Sequence, residues 1–189
     1  MARFAGIDVG GSRKGFHVAV LDPSRGFEWV RGIHRAEDIL AELEQIGDLQ
    51  GVAIDCPPKA QISGPETRLS ERHLHRAGYH IQWTRRPTHE PQEWMENGEN
   101  LWKTLREGLP QVQIVETFPT AVSGKLAACP YSIPLSLLEG GPPERAVYKD
   151  LIDACLCAWV AEKVARGEAE RVGVDPKTGE VDELGPIYF

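Results

Sequence analysis

The chain has 189 residues, 41% of them hydrophobic and 26% charged, with a formal net charge of -7. That length supports one substantial core, so a single domain over residues 1–189 is expected. The negative balance argues against a protein that coats nucleic acid nonspecifically, a task carried by excess Lys and Arg. It leaves room for a local basic surface, or for acids gathered around a metal.

No apolar run approaches the roughly 20 residues needed to cross a bilayer, so no membrane partner is expected. Met1-Ala-Arg-Phe4 also lacks the core of a signal peptide. The four cysteines, Cys56, Cys129, Cys155 and Cys157, form no CxxC pair and no zinc spacing. Reduced, buried thiols in a cytoplasmic protein account for them.

In chain order, residues 3–9 read as a strand carrying one acid, Asp8, followed by glycines at 10 and 11. Residues 15–21 alternate as a second strand. Asp22-Pro-Ser-Arg-Gly26 has turn chemistry, and Phe27–Val30 completes an antiparallel meander. Ile39, Leu40, Leu43 and Ile46 recur at helical spacing over 36–46, and Gly47 ends the run. Gly51–Ile54 is a continuous apolar strand closed by Asp55-Cys-Pro-Pro58, which predicts a central strand between helices.

A helix is predicted from Pro65 to about Ala77, a short strand over Tyr79–Trp83, and a polar helix from Pro91 to Gly108 interrupted near Asn97-Gly98. Val112–Val115 is a further strand, ending in Glu116-Thr-Phe-Pro119. Tyr131–Pro143 reads as an ordered loop. A long helix follows over 144–166, with Ala154, Cys155, Cys157, Ala158 and Ala161 small enough to pack closely on a sheet. In the tail, Asp175–Gly179 is a turn between two possible edge segments. The order βββ-α-β-α-β-α-β-α indicates a mixed sheet with helices on its faces.

Five acids at four places in the chain form the candidate catalytic set. Asp8 lies inside a strand, where Asp gains nothing unless solvated or paired. Asp55 and Glu116 each end an apolar strand, on the side where open sheets bind ligands. Asp150 and Asp153 share one helix face. Oxygen-only ligands of this kind suit Mg²⁺ or Mn²⁺, as one ion or as two roughly 4 Å apart acting on a phosphodiester. Structural readings stand beside this one. Asp55 can be a strand-end turn residue, Asp150 and Asp153 can complement the helix dipole, and Glu116 can pair with a basic residue.

Between 68 and 89 the chain turns basic. Arg68, Arg72 and Arg76 recur every four residues, followed by Arg85 and Arg86, with Trp83 interleaved. Such a strip can hold phosphates and stack a base, making nucleic acid a candidate substrate. The alternative is a solvated helix face paired with Glu66 and Glu71.

The order of acids, Asp8, Asp55 and Asp150-Leu-Ile-Asp-Ala154, resembles the RNase H-like fold. The phrases Gly6-Ile-Asp-Val-Gly10, Ala53-Ile-Asp-Cys-Pro-Pro58, Glu116-Thr-Phe-Pro119, Lys149–Ala154 and Gly185–Phe189 are similar to a domain-of-unknown-function family described as predicted nucleases of that fold. The resemblance implies an α/β domain with a five-stranded mixed sheet in the order 3-2-1-4-5, strand 2 antiparallel and helices on both faces. It also implies a nuclease centre with Asp8, Asp55 and Asp153 on the metal and Asp150 or Glu116 assisting.

Two other functions fit parts of the chain. Gly6–Ser12 also resembles the first phosphate loop of the sugar-kinase and actin superfamily, which implies nucleotide binding or phosphotransfer. A non-catalytic interaction domain using the acids structurally is the third reading.

Overall fold

Apolar alternation along the first three strands buries both faces of one meander, formed by β1 (Arg3–Val9), β2 (Phe16–Asp22) and β3 (Gly26–Ile33). The structure is a computed structural model describing residues 2–63, 67–133 and 145–189. The chain continues through α1 (Ala36–Glu44), β4 (Leu49–Asp55), α2 (Leu69–Arg76), α3 (Glu93–Gly108), β5 (Gln113–Thr117) and α4 (Pro119–Ser123). A short 3₁₀ turn at Leu126–Ala128 precedes α5 (Arg145–Ala165), β6 (Arg171–Val172) and β7 (Ile187–Tyr188).

The strands form one mixed sheet in the order β3-β2-β1-β4-β5-β7-β6. The β3-β2-β1 pairings are antiparallel, whereas β1-β4, β4-β5 and β5-β7 are parallel. The first five strands take the expected 3-2-1-4-5 order, but the sheet has seven strands, not five. The extra pair comes from the C-terminal tail, where Ile187 and Tyr188 bond alongside Glu116 and Thr117. This covers the otherwise open edge of β5. Two-residue strands are too short to show an alternation that could be read in advance.

Alternation along β1 sends Ala5, Ile7 and Val9 into a layer with α1 and α3, and Phe4 into a layer with α5. Gly6 lies on the α5 face, where a methyl group would stand 2.0 Å from the Ala158 backbone nitrogen. Glycine here, with Ala154, Cys157 and Ala158 opposite, is what lets α5 lie directly across β1. That crossing carries Asp150 and Asp153 to the acid on β1.

Several elements differ from the sequence reading. The proposed helix start at Pro65 lies outside the described residues; α2 begins at Leu69, and its Ser70 amide donates to Asp182 Oδ2 at 2.9 Å. A tail carboxylate thus satisfies an amide of the first turn. Tyr79–Trp83 forms no strand, because side chains take up neighbouring polar groups: the Thr84 amide donates to Glu71, and Gln82 accepts from Trp94 Nε1. Helix α3 runs uninterrupted through Asn97-Gly98. Gly98 is a packing residue, since a methyl there would stand 2.0 Å from Cys56 Sγ.

Helix α4 was not expected; five residues are too few for a helical period to register. Of the predicted loop over 131–143, residues 134–143 lie outside the described residues. In the tail, Asp175 Oδ1 accepts from the amides of Lys177 and Thr178, and the segments on either side of this turn pair antiparallel as β6 and β7, with a further bridge between Val174 and Val181. The four cysteines are free thiols; Cys56, Cys155 and Cys157 are buried and Cys129 half-buried. No helix among the described residues is long and apolar enough to cross a membrane.

Candidate metal centre

Asp8 is flanked in register by His17 on antiparallel β2 and by Asp55 on parallel β4. Register partners on adjacent strands point to one face, with backbones about 4.8 Å apart. That face is the one α5 crosses, so the three side chains meet Asp150 and Asp153 coming from the helix.

Asp8, His17 and Asp153 are buried, and Asp55 and Asp150 half-buried. Asp8, His17 and Asp150 each offer a donor atom within 4.8 Å of the others. His17 Nδ1 is 3.5 Å from Asp8 Oδ2 and, although buried, has no hydrogen-bond partner. Two lysines bring counter-charge: Lys14 Nζ lies 2.8 Å from Asp150 Oδ2, and Lys149 pairs with Asp153 one helical turn away.

The carboxyls hold their protons more tightly than usual. Burial pushes Asp55 well above the ordinary carboxylate range, and the charges of Asp8 and Asp153 push it further. Burial raises Asp8 as well, opposed by its contact with His17 and reinforced by Asp150. Asp153 is raised by burial, with Lys149 pulling the other way. A set of mutually repelling oxygens, raised in this manner, fits a hard divalent cation, because such an ion relieves the repulsion. Asp8, Asp55 and Asp153 are the residues that would hold it, with Asp150 beside them.

A stability prediction follows for Asp55. A carboxyl raised on folding stabilises the fold fully below its unfolded pKa and loses that contribution as pH rises through the folded value. At pH 7, above the unfolded pKa of a carboxyl, that contribution is diminished, so Asp55 weakens the metal-free fold relative to acid. Asp55→Asn should raise the metal-free Tm at pH 7, by about 2–4 °C per kcal/mol relieved, with the difference closing in acid. Mn²⁺ should raise the Tm of the wild type more than that of the variant. Calorimetry at pH 4 and pH 7 checks this; a lower Tm for the variant at pH 7 would contradict it.

Glu116 does not join this group. It pairs in register with Ile54, whose side chain packs in the α1–α3 layer, so Glu116 points to the opposite face of the sheet from Asp8. There Arg68 binds both of its oxygens, Nη1 to Oε1 at 2.9 Å and Nη2 to Oε2 at 2.6 Å. The same guanidinium lies 3.8 Å from Glu71 and 3.7 Å from Asp182. Burial raises Glu116 above the usual carboxylate range even with Arg68 pulling it down.

The basic strip is likewise divided. Arg68, at 3% exposure, faces inward to carboxylates and not to solvent, which removes it from any nucleic-acid surface. Its four-residue spacing with Arg72 and Arg76 is real, but α2 starts only at Leu69 and Arg68 is its cap. Arg72 is half-buried, whereas Arg76, Arg85 and Arg86 are exposed. Trp83 is half-buried, its ring 5.4 Å from that of His75.

Between the two groups, at the C-terminal ends of β1, β4 and β5, opens a cleft of about 420 Å³. Asp55 and Glu116 both line it, with Lys14, His80, Trp94 and Phe118 around them. Trp102, on the same helix as Trp94, is instead buried and donates to the Cys56 carbonyl at 3.0 Å.

The sequence reading passed over His17, Lys14 and Lys149. The signal for His17 was present, since a hairpin closed by a turn at 10–15 places residue 17 opposite residue 8. Searching for histidine ligands by linear spacing misses partners joined by strand pairing. Lys149 carried a local signal, standing four residues before Asp153 on one helix, whereas only the docking of α5 brings Lys14 to Asp150.

The fold and this acidic face define a mixed α/β protein with a candidate cation site at the carboxyl end of its sheet. A family model described as "Protein of unknown function (DUF429)" matches residues 126–178, the stretch that includes α5 with Asp150 and Asp153. No curated protein matches the chain, and no solved structure does.

Proposed function

We propose that the protein is a metal-dependent nuclease of the RNase H-like type, hydrolysing phosphodiester bonds of RNA or DNA with Mg²⁺ or Mn²⁺. The observation carrying this reading is the convergence of Asp8, Asp55, Asp150 and Asp153 on one face at the carboxyl ends of the parallel strands. The 3-2-1-4-5 order of the first five strands, with α5 laid across β1, supports the fold assignment.

Asp8, Asp55 and Asp153 hold the cation through carboxylate oxygens. One or two such ions, when bound, supply an acidified water and compensate charge on the leaving oxygen. Asp150 orients the attacking water and accepts its proton, a role open to it because both oxygens of Glu116 are held by Arg68. Lys14 and Lys149, each already drawn to a carboxylate, attract the scissile phosphate to the site. Arg76, Arg85 and Arg86 contact the backbone further along, and Trp83 offers a stacking ring.

The nucleotide-binding reading draws less support, because the amides of Gly10, Lys14 and Gly15 bond within the hairpin turn. In the turn, Gly15 takes a φ of 68°, a conformation open to glycine.

The test is cleavage of a panel of single- and double-stranded RNA and DNA with Mn²⁺, with and without a chelator. Cleavage should need the metal and be lost in Asp153→Asn. Cleavage that persists in the chelator, or in that variant, would refute the proposal.

A further inference from the structure

We propose that Asp8, His17 and Asp150 form a cation site of mixed nitrogen and oxygen donors, suited to a first-row transition ion more than to Mg²⁺. It shares Asp8 with the hydrolytic centre proposed above and takes as a ligand the Asp150 that serves there as a base, but it stands on metal binding alone and requires no cleavage.

His17 is an unusual occupant of its position. Its neighbours along the same face of β2 are Ala19 and Leu21, both fully buried against the α5 layer. Only 6% of His17 is exposed, and its Nδ1 is buried without a hydrogen-bond partner. A buried ring nitrogen without a hydrogen bond is a free-energy cost to the fold, and a bound cation removes it. Strand pairing fixes the histidine opposite Asp8, and α5 brings Asp150 to the same point.

The separations are close to those one ion requires. Donors on opposite sides of a metal at about 2.2 Å each are about 4.4 Å apart, and neighbouring donors about 3 Å. His17 Nδ1 and Asp8 Oδ2 are 3.5 Å apart, and no pair in the group exceeds 4.8 Å. A closure of a few tenths of an ångström completes the site. The nitrogen donor then favours first-row transition ions over Mg²⁺, which prefers an all-oxygen octahedron; Mn²⁺, the weakest binder of that series, is their paramagnetic probe.

Lys14 is a removable occupant. Its ammonium sits 2.8 Å from Asp150 Oδ2 on a side chain that is 48% exposed, so it can withdraw to water when a cation takes the carboxylate. A cation must compete with it, and Lys14→Met should therefore tighten binding.

The experiment titrates the full chain with Mn²⁺ alone and records pulsed EPR of the bound ion. The wild type should show ¹⁴N coupling from a directly bound imidazole, altered when histidine is ¹⁵N-labelled and lost in His17→Asn. Affinity should fall tenfold or more in His17→Asn and in Asp150→Asn, and rise severalfold in Lys14→Met. Asp150 is half-buried, so its variant, with the isotope substitution, keeps the test available should His17→Asn misfold. Bound Mn²⁺ without nitrogen coupling, coupling that survives in His17→Asn, or no Mn²⁺ binding at all would overturn the site. Nitrogen-coupled Mn²⁺ on a protein that cleaves nothing would uphold it while refuting the nuclease.

Discussion

Asp8→Asn is expected to abolish metal-dependent cleavage, lowering the rate a hundredfold or more while leaving the protein folded. Asp8 occupies the centre of the site: His17 and Asp55 are its register partners, and Asp150 also acts on it electrostatically. Loss of a group that merely orients a metal ligand typically costs 10–100-fold. Removing the charge of a direct ligand shared by both candidate cation positions should sit at or beyond the upper end. Burial already raises the Asp8 carboxyl, so at neutral pH its charge is a cost to the metal-free fold. The Asn variant should accordingly melt at or above the wild-type Tm without metal, and gain less from Mn²⁺. Calorimetry beside the cleavage assay separates the two effects. Undiminished cleavage in a folded variant would remove Asp8 from the mechanism.

Arg68→Met should destabilise the fold by about 3–5 kcal/mol at pH 7, the usual cost of removing one partner of a buried ion pair. The guanidinium, 3% exposed, gives both oxygens of Glu116 their described partners and lies within 4 Å of Glu71 and Asp182. Glu71 and Asp182 retain other donors: Thr84 and Ser70 respectively. Glu116 is the group stranded. Burial has already raised its carboxyl, and without Arg68 that effect is unopposed. The stabilisation from protonating it is complete below the unfolded pKa and is lost as pH rises through the raised folded value. The defect should therefore be largest at neutral pH and shrink toward pH 4. Glu116→Gln in the same chain should recover part of it. Urea denaturation of the single and double variants at both pH values measures the cycle. A pH-independent loss would mean that packing of the long side chain, not charge, holds this corner together.

This second prediction also separates two roles that look alike in sequence. Asp55 and Glu116 both end apolar strands and line the same cleft, and nothing local distinguishes them. One residue of register does. Glu116 aligns with Ile54, while Asp55 aligns with Asp8, so they leave the sheet on opposite faces. One meets the acids of α5 and the other meets Arg68. Arg68 drops out of the basic strip for a related reason: a four-residue period describes a helix face, and Arg68 precedes the helix it was counted in.

What the sequence determined by itself was the set of elements whose periodicity is long enough to read. These are the meander, the continuous apolar strand before Asp55, and a helix of small residues able to lie across glycine. The acid within a strand and the acidic pair on one helix face are local facts; the order of the first five strands and the grouping of Asp8, Asp55 and Asp153 came with the resemblance to the RNase H-like fold. Tertiary structure alone decided the rest. It added the two tail strands, turned Glu116 inward to Arg68, brought Lys14 to Asp150, and set His17 against Asp8. Each of these depends on a contact between segments distant in the chain or on which face a register selects. Neither is written in the composition of any one segment.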